Sequence, residues 1–406
     1  MNLLLIGAPL SRNFGGPCLL MATRTVLDDA LKDQAEYTFL STTQEDEALS
    51  EQYGIQIITN VPAKTLLPAA FLKRFFRINP KDKNVRKVLD AYARADMVID
   101  IWGIGFSDSI GTGTFRSCLF SGSRFLVAKI LGKRVVKYTA DLGPFLSRWN
   151  RFFSRIYFNH TVDLILARNE VTKERLVELG IKTPIKVCPD TAFLLTAHTC
   201  QLAEELEKEK ANGRAMVGFS ISHMAARQSG DPNNYIRCMA QLADYISTSI
   251  NACIVLIPNE LSPDASVDDM HYVDLVVEHM SQREQVVIVH AEKYTAQQLK
   301  GIIGKCDVVV AARYHSIVAS LSQGIPVLAI GWHTKYSEIL KLFDQDRYLC
   351  PVNNLDFDEL RVKFDDLWMS RHNISQKIAS NLPEIFNAIL NGGEEVVSLI
   401  KKTRQD

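Results

Sequence analysis

Short runs of apolar, mostly β-branched residues alternate along the chain with stretches whose apolar positions recur every three or four residues. This is the pattern of parallel α/β architecture. In the first half the runs are Leu3–Ile6, Tyr37–Leu40, Ile55–Ile58, Met97–Ile101, Val135–Tyr138, Leu164–Ala167 and Lys186–Cys188, with amphipathic stretches such as Pro17–Lys32, Asn84–Ala95 and Val171–Leu179 between several of them. The alternation restarts at Ala215–Ser220 and continues through Ala252–Ile257, Val286–Val289, Val308–Ala311 and Val327–Ile330. Helical spacing covers Tyr235–Ser249, Ser266–Met280, Thr295–Ile303 and Ile317–Gln323. Two series built alike predict an α/β protein of two Rossmann-like lobes with a cleft between them. The first lobe is expected over 1–195 and the second over 215–375. Between them, 196–214 reads as a charged linker or solvated helix, and 376–406 as a helical tail, the end of a helical pattern over Asp356–Lys402. No internal repeat or low-complexity segment interrupts this plan.

Composition narrows the class. Hydrophobic residues make up 47% of the 406, too many for a disordered chain. A formal net charge of zero argues against a general nucleic-acid binder. No apolar run approaches the roughly 18 residues of a membrane span. Met1–Gly7 reads as a buried strand entering a glycine turn, without the basic region or cleavage site of a signal peptide. The eight cysteines are scattered, with no CxxC pair, so they are expected to be small buried hydrophobes in a reducing compartment. These features predict a cytoplasmic protein. The neutral total hides an asymmetry: residues 1–195 carry 26 Lys+Arg and 19 Asp+Glu, the remainder 20 and 27. Within 64–155 there are 18 basic and 6 acidic side chains, which suits an anionic partner or surface.

Candidate chemistry concentrates after two of the buried strands. Val308–Ala311 runs into Ala312-Arg313-Tyr314-His315-Ser316, then a short helix ended by Gly324 and Pro326. Ligands of open α/β sheets bind beyond the carboxyl ends of strands. Arg313 offers a fork for carboxylate or phosphate, His315 a titratable ring, and Ser316 a cap for a helix whose N–H groups attract anions. Val327–Ile330 leads in the same way into Gly331-Trp332-His333-Thr334-Lys335, which places a cation one strand away. Ser220-Ile221-Ser222-His223 ends another strand and could border the same site. Gly111-Thr112-Gly113-Thr114 is a Gly/Thr loop without the lysine of a P-loop, and Asp268-Asp269 reads as a pair complementing a helix dipole. No histidine spacing suggests a metal site.

The Arg-x-His-Ser stretch, the following Gly324-Ile325-Pro326 and Lys335 after the next strand together resemble the polysaccharide pyruvyl transferases. Leu166-Ala167-Arg168-Asn169-Glu170, Leu179-Gly180-Ile181, Cys188-Pro189-Asp190-Thr191-Ala192-Phe193, Gly143-Pro144-Phe145 and Trp102-Gly103-Ile104-Gly105-Phe106 are similar to further elements of that family. Asn13-Phe14-Gly15-Gly16-Pro17 departs from it by lacking two acids. The resemblance implies a GT-B-like arrangement of the two lobes and transfer of a pyruvyl group from phosphoenolpyruvate to two hydroxyls of a sugar, giving a ketal. It also implies His315 as the general acid and Arg168, Arg313, Ser316 and Lys335 as donor-binding residues. Asn13 and Asp141 would lie on the acceptor side. No metal or cofactor is implied beyond the donor itself; the acceptor would be a saccharide, lipid-linked or free. A nucleotide-sugar glycosyltransferase of the same architecture is the alternative enzyme, and a non-catalytic homologue the alternative outside catalysis. The former would want an acid in the second lobe to grip a ribose, where the sequence offers Arg, His and Lys.

Two stretches, Phe71–Arg77 and Phe145–Arg155, interleave aromatic residues with Arg and Lys. The second, laid on a helix, brings Trp149, Phe152 and Phe153 towards one side and Arg148, Arg151 and Arg155 near another, which suits either the core or peripheral contact with an anionic leaflet at the inner face of a membrane.

Overall fold

The computed structural model describes residues 1–32, 34–108 and 113–403. Of the Gly111–Thr114 loop, Gly111 and Thr112 lie outside the described residues. The chain forms two compact units. One comprises Met1–Ser11, Leu19–Thr191 and Phe386–Asp406, the other Arg12–Cys18 and Ala192–Ile385.

The first unit is built on β1 (Asn2–Ile6), β2 (Glu36–Ser41), β3 (Gln56–Thr59), β4 (Met97–Asp100), β5 (Ile104–Gly105), β6 (Arg134–Leu142), β7 (Leu164–Ala167) and β8 (Ile185–Val187). Its sheet is parallel in the order β3-β2-β1-β4-β6-β7-β8, with β5 paired to the end of β6. The second unit carries β9 (Ala215–Ser220), β10 (Ala252–Leu256), β11 (Val286–Ile288), β12 (Val308–Ala311), β13 (Val327–Gly331) and β14 (Leu349–Pro351), in the order β11-β10-β9-β12-β13-β14. Each sheet reverses its strand order beside its first strand, at the β1/β4 and β9/β12 junctions. Such junctions open a crevice at the strands' carboxyl ends. Central strands such as β4, β7, β10 and β12 are buried along their whole length, which is why they read as continuous apolar runs rather than alternating ones.

The strand series follows the expected one closely, with β5 and β14 added; at two and three residues these are too short to leave a pattern. Three unexpected helices cover one face of the first sheet. Ala63–Phe76 carries Pro68 in its interior and apolar residues outward, and Phe115–Ser121 and Ser123–Ile130 are each only two turns long. The segment expected as a linker holds a helix, Gln201–Ala211, which belongs to the second unit. The expected boundary at 195 moves to Thr191, and Arg12–Cys18 joins the second unit. The tail is the end of one continuous 47-residue helix, Phe357–Thr403, rather than an element of its own beginning at 376. Its last part supplies Val396 and Ile400 to the core of the first unit, against Leu3, Leu5 and Leu27. All eight cysteines are free thiols and seven are buried; burial pushes Cys188, Cys306 and Cys350 up to about 12. No helix among the described residues is long and apolar enough to cross a membrane.

Two adjacent glycines inside that helix need an explanation, because each costs about 1 kcal/mol relative to alanine. A Cβ on Gly392 would stand 2.5 Å from Cys188 Sγ, and one on Gly393 2.6 Å from Val26 Cγ1. The glycines let the helix backbone lie directly on the first unit's core. Gly392→Ala should therefore destabilise the protein by about 1–3 kcal/mol in urea unfolding, opposite to the gain that helix propensity alone predicts.

Candidate active site

The second unit gathers its polar side chains at the carboxyl ends of β9, β10 and β12. After β12, Ala312 remains buried and Arg313 turns the chain with extended dihedrals (φ −115°, ψ 131°) as the residue before the helix Tyr314–Leu321. Ser316 was expected as the cap. It sits instead inside the helix, fully buried, with Oγ 2.9 Å from both Ser220 Oγ and Asn259 Oδ1. Asn259 Nδ2 donates to Ser220 Oγ at 2.9 Å, which closes a triangle joining the ends of β9 and β12 to the loop after β10. No side chain caps this helix among the described residues.

Arg313 is the centre of the cluster. Its Nε donates to Asp269 Oδ2 at 2.8 Å and its Nη2 to Asp269 Oδ1; Nη1 donates to Glu260 Oε2 at 2.8 Å. Nη2 also lies 2.8 Å from His223 Nδ1. Three of the five guanidinium N–H groups are thus directed at carboxylate oxygens of Asp269 and Glu260. Asp269 further accepts the backbone N–H groups of His223, Asn259 and Glu260, at 2.9, 3.2 and 3.0 Å. Burial alone would raise this carboxyl, but Arg313 and these donors hold it down at about 2. The Asp268-Asp269 pair therefore divides its work. Asp268 caps the helix Asp269–His279, whereas Asp269 is not a dipole-complementing surface acid but the buried partner of Arg313. The acids that the sequence seemed to lack in this lobe are present, both engaged by Arg313.

His315 is seated against backbone. A Cβ built on Gly15 would overlap the imidazole at Nδ1 and Cε1, so only glycine leaves room for the ring. Gly15 is held there because Asn13 and Phe14 pair with the loop after β10. Asn13 bridges Glu260 in antiparallel fashion, Phe14 N donates to Asn259 O at 2.9 Å and Leu261 N donates to Arg12 O at 3.0 Å. Asn13 Oδ1 accepts the Gly15 N–H at 2.7 Å. Asn13 was expected on the first lobe's acceptor side; the structure groups it with the second unit, beside His315.

Lys335 lies among aromatic rings, its Nζ 5.2 Å from the centroid of Tyr314, 5.0 Å from Trp332 and 5.6 Å from Tyr336. Tyr336 Oη donates to Ala312 O at 3.0 Å and Tyr314 meets the His315 ring edge-on, so the two motifs pack as one. The second unit thus brings together Arg313, His315, Ser316, Lys335 and Asn13, together with Asp269, Glu260 and His223.

Arg168 and Asp141 belong to the first unit. Arg168 follows β7, donates from Nε to Thr139 O at 3.1 Å and pairs with Asp190 at 3.0 Å. It lies under the Trp102–Gly105 turn, where a Cβ on Gly103 would strike its Nη2. A register shift in β6 between Lys137 and Ala140, with Thr139 at φ 39°, turns that carbonyl toward Arg168. Asp141 Oδ1 accepts from Thr172 Oγ1 at 3.1 Å and stands 3.8 Å from Arg175. Sequence reasoning missed Lys137, fully buried on β6, whose Nζ donates to Asp100 and to Trp102 O at 2.6 and 2.5 Å. Burial lowers its amine to about 8 against the pull of Asp100. A lysine in the middle of an apolar strand was the available signal. Among the described residues no cluster of three or more His, Cys, Asp or Glu is placed to hold a metal ion.

Two parallel sheets, each with polar side chains gathered at the strand ends beside its reversal of order, define an α/β protein of two Rossmann-like units. Among solved structures, the chain superposes on Staphylococcus aureus MnaA with UDP at a TM-score of 0.64 and 12% identity, covering 98% of this chain and 96% of that one. Anabaena Alr3699/HepE with UDP-glucose gives 0.61 and 13%, covering 99% of both chains. Residues 65–334 match the family of polysaccharide pyruvyl transferases, and the chain belongs to that family. It is 22% identical to the amylovoran biosynthesis protein AmsJ of Erwinia amylovora over 318 residues, 75% of this chain and 73% of that protein.

Removing one partner of a buried ion pair leaves the other uncompensated. Asp269→Asn should therefore cost about 3–5 kcal/mol of stability at neutral pH. Because the Asp269 pKa is lowered from 3.8 to about 2 by folding, its contribution is complete above pH 3.8 and is lost as the pH falls toward 2. Urea titrations of the wild type and the variant should converge over that interval.

Proposed function

We propose that this protein transfers a pyruvyl group from phosphoenolpyruvate to a sugar of a polysaccharide or glycan precursor as a cyclic ketal, releasing phosphate, with His315 as the general acid. The observation that carries this reading is the seat of His315: an imidazole fixed against the Gly15 backbone at the end of β12, in the first turn of an uncapped helix and packed through Tyr314 with Lys335. Family membership supports it.

The chemistry assigns a task to each group. His315 protonates the methylene carbon of the donor, making it a methyl group and leaving the adjacent carbon electron-poor. One sugar hydroxyl adds to that carbon and loses its proton. The carbon–oxygen bond to phosphate then breaks, and the second hydroxyl adds in turn. Of the two hydroxyl protons, one replaces that given by His315 and the other leaves with phosphate. The donor carries two anionic groups. With Arg313 spent largely on Asp269 and Glu260, their attraction comes chiefly from Lys335 and the helix N-terminus at Tyr314, while Arg313 directs its remaining N–H groups. The Ser220–Asn259–Ser316 triangle fixes that helix from beneath.

A thermal-shift titration with phosphoenolpyruvate, set against UDP-glucose, tests the donor. Stabilisation by the first is expected, and stabilisation by UDP-glucose alone would replace this reading with a nucleotide-sugar transferase. Lys335→Met should weaken phosphoenolpyruvate binding by about 1.5–3 kcal/mol. His315→Gln should lower phosphate release by about 10²–10⁴ while leaving donor affinity near wild type; an active Gln variant would leave His315 a binding role only. Gly15→Ala, which displaces the ring without removing it, should reduce turnover in the same direction with the protein still folded.

A further inference from the structure

The aromatic-basic stretches were expected to serve either the core or a surface, and the structure divides them between the two. On the helix Arg148–Thr161, Phe153, Tyr157 and Phe158 enter the core of the first unit, whereas Phe152 and Ile156 point outward at 54% and 38% exposure, among exposed Arg148, Arg151 and Arg155. On Ala63–Phe76 only Leu66 and Ala70 are buried; Phe75 and Phe76 are each 62% exposed, with Arg74 and Arg77 exposed beside them. Phe115–Ser121 adds exposed Phe115, Leu119 and Phe120, and Arg116.

These helices form one layer. Ala63–Phe76 packs on Ser123–Ile130, which packs on Arg148–Thr161, and Phe115 meets Trp149 edge-on at 4.9 Å. The layer covers a single face of the first sheet, and its inward residues share one core. Most of the exposed large hydrophobic residues of the described chain lie in it or in its flanking loops, including Ile78 and Leu146, the latter 73% exposed. Soluble surfaces rarely gather apolar residues in this way. The charge is equally one-sided: 61–81, 113–134 and 143–162 contain no Asp or Glu.

We propose that this helix layer of the first unit docks on an anionic lipid bilayer, with Phe75, Phe76, Leu146 and Phe152 entering the interface and the surrounding arginines lying over the headgroups. Charge complementarity selects this occupant. A second copy meeting through the same face would set arginine against arginine with no carboxylate in these segments to pair them. A bilayer supplies apolar depth and negative charge together, and each cation near it strengthens binding roughly fivefold. This inference is independent of the chemistry proposed for the second unit.

Flotation of the full chain with vesicles of phosphatidylglycerol and phosphatidylcholine, against phosphatidylcholine alone, tests it. Binding to the anionic vesicles only, reversed by high salt, is expected. The variants Phe75→Asp/Phe76→Asp and Arg151→Glu/Arg155→Glu should each lower it on the order of tenfold or more. Their thermal midpoints should match wild type, since the altered side chains are exposed. Failure to bind either vesicle at low salt overturns the proposal, as does equal binding by wild type and variants. A dimer that Phe75→Asp/Phe76→Asp dissociates, with no vesicle binding, would overturn it too by making the face a contact between copies.

Discussion

Asp269 loses its water at the foot of a helix and recovers its hydrogen bonds from one guanidinium and three backbone N–H groups. A carboxylate buried at this depth is tolerable only when such partners are all present. Its demand therefore fixes the loops after β9 and β10 and Arg313, two residues beyond β12. Glu260, drawn in by the same arginine, carries on its backbone the antiparallel pairing that holds Asn13 and Phe14. Through that chain of contacts the ion pair sets the height of Gly15 and, with it, the seat of His315. The imidazole stands where it does because a charge elsewhere had to be neutralised.

The elements legible in the sequence were those whose periodicity is set by burial. Leu164–Ala167, Ala215–Ser220 and Val308–Ala311 stand residue for residue where the apolar runs put them, because central strands of a parallel sheet are covered on both faces. The helices Ala63–Phe76 and Phe115–Ser121 were not legible for the complementary reason: their apolar residues face outward, so the contrast between two faces that periodicity detects is absent. At the site, strand-end position picked out Arg313, His315 and Lys335, but partnership could not be read from it. Asp269 lies 44 positions from Arg313, and nothing local marks which of two adjacent aspartates turns inward. Ser316 was misread because a serine near a helix start usually caps it; here the arginine takes the turn and the hydroxyl is drawn down to Ser220 and Asn259.

Both units pair buried carboxylates with cations, and both lay glycine backbone against a polar side chain. In the first, Asp100 is shared by Lys137 and Arg124, and Arg168 is matched by Asp190. Glycine turns lie over these groups, and Gly103 would collide with Arg168 if it carried a side chain. In the second, the glycine that matters comes from a segment far away in sequence and faces an imidazole rather than a guanidinium. In both cases the missing Cβ allows backbone to replace solvent against a polar ring or fork. This explains why short glycine-containing fragments recur where the strands end.

The interleaving of the chain also bears on its making. The first unit takes its final helical segment from Phe386 onward, and Val396 and Ile400 complete a core begun by Leu3 and Leu5. A ribosome therefore releases nearly all of the first unit long before the residues that close it exist, and all of the second unit except Arg12–Cys18 is synthesised in between. During that interval one face of the first sheet lacks its last cover. The second unit needs only Arg12–Cys18 from outside its own span, and that segment is already waiting when synthesis reaches it. Vectorial synthesis thus favours completion of the second unit first, leaving the unit that begins the chain to finish last.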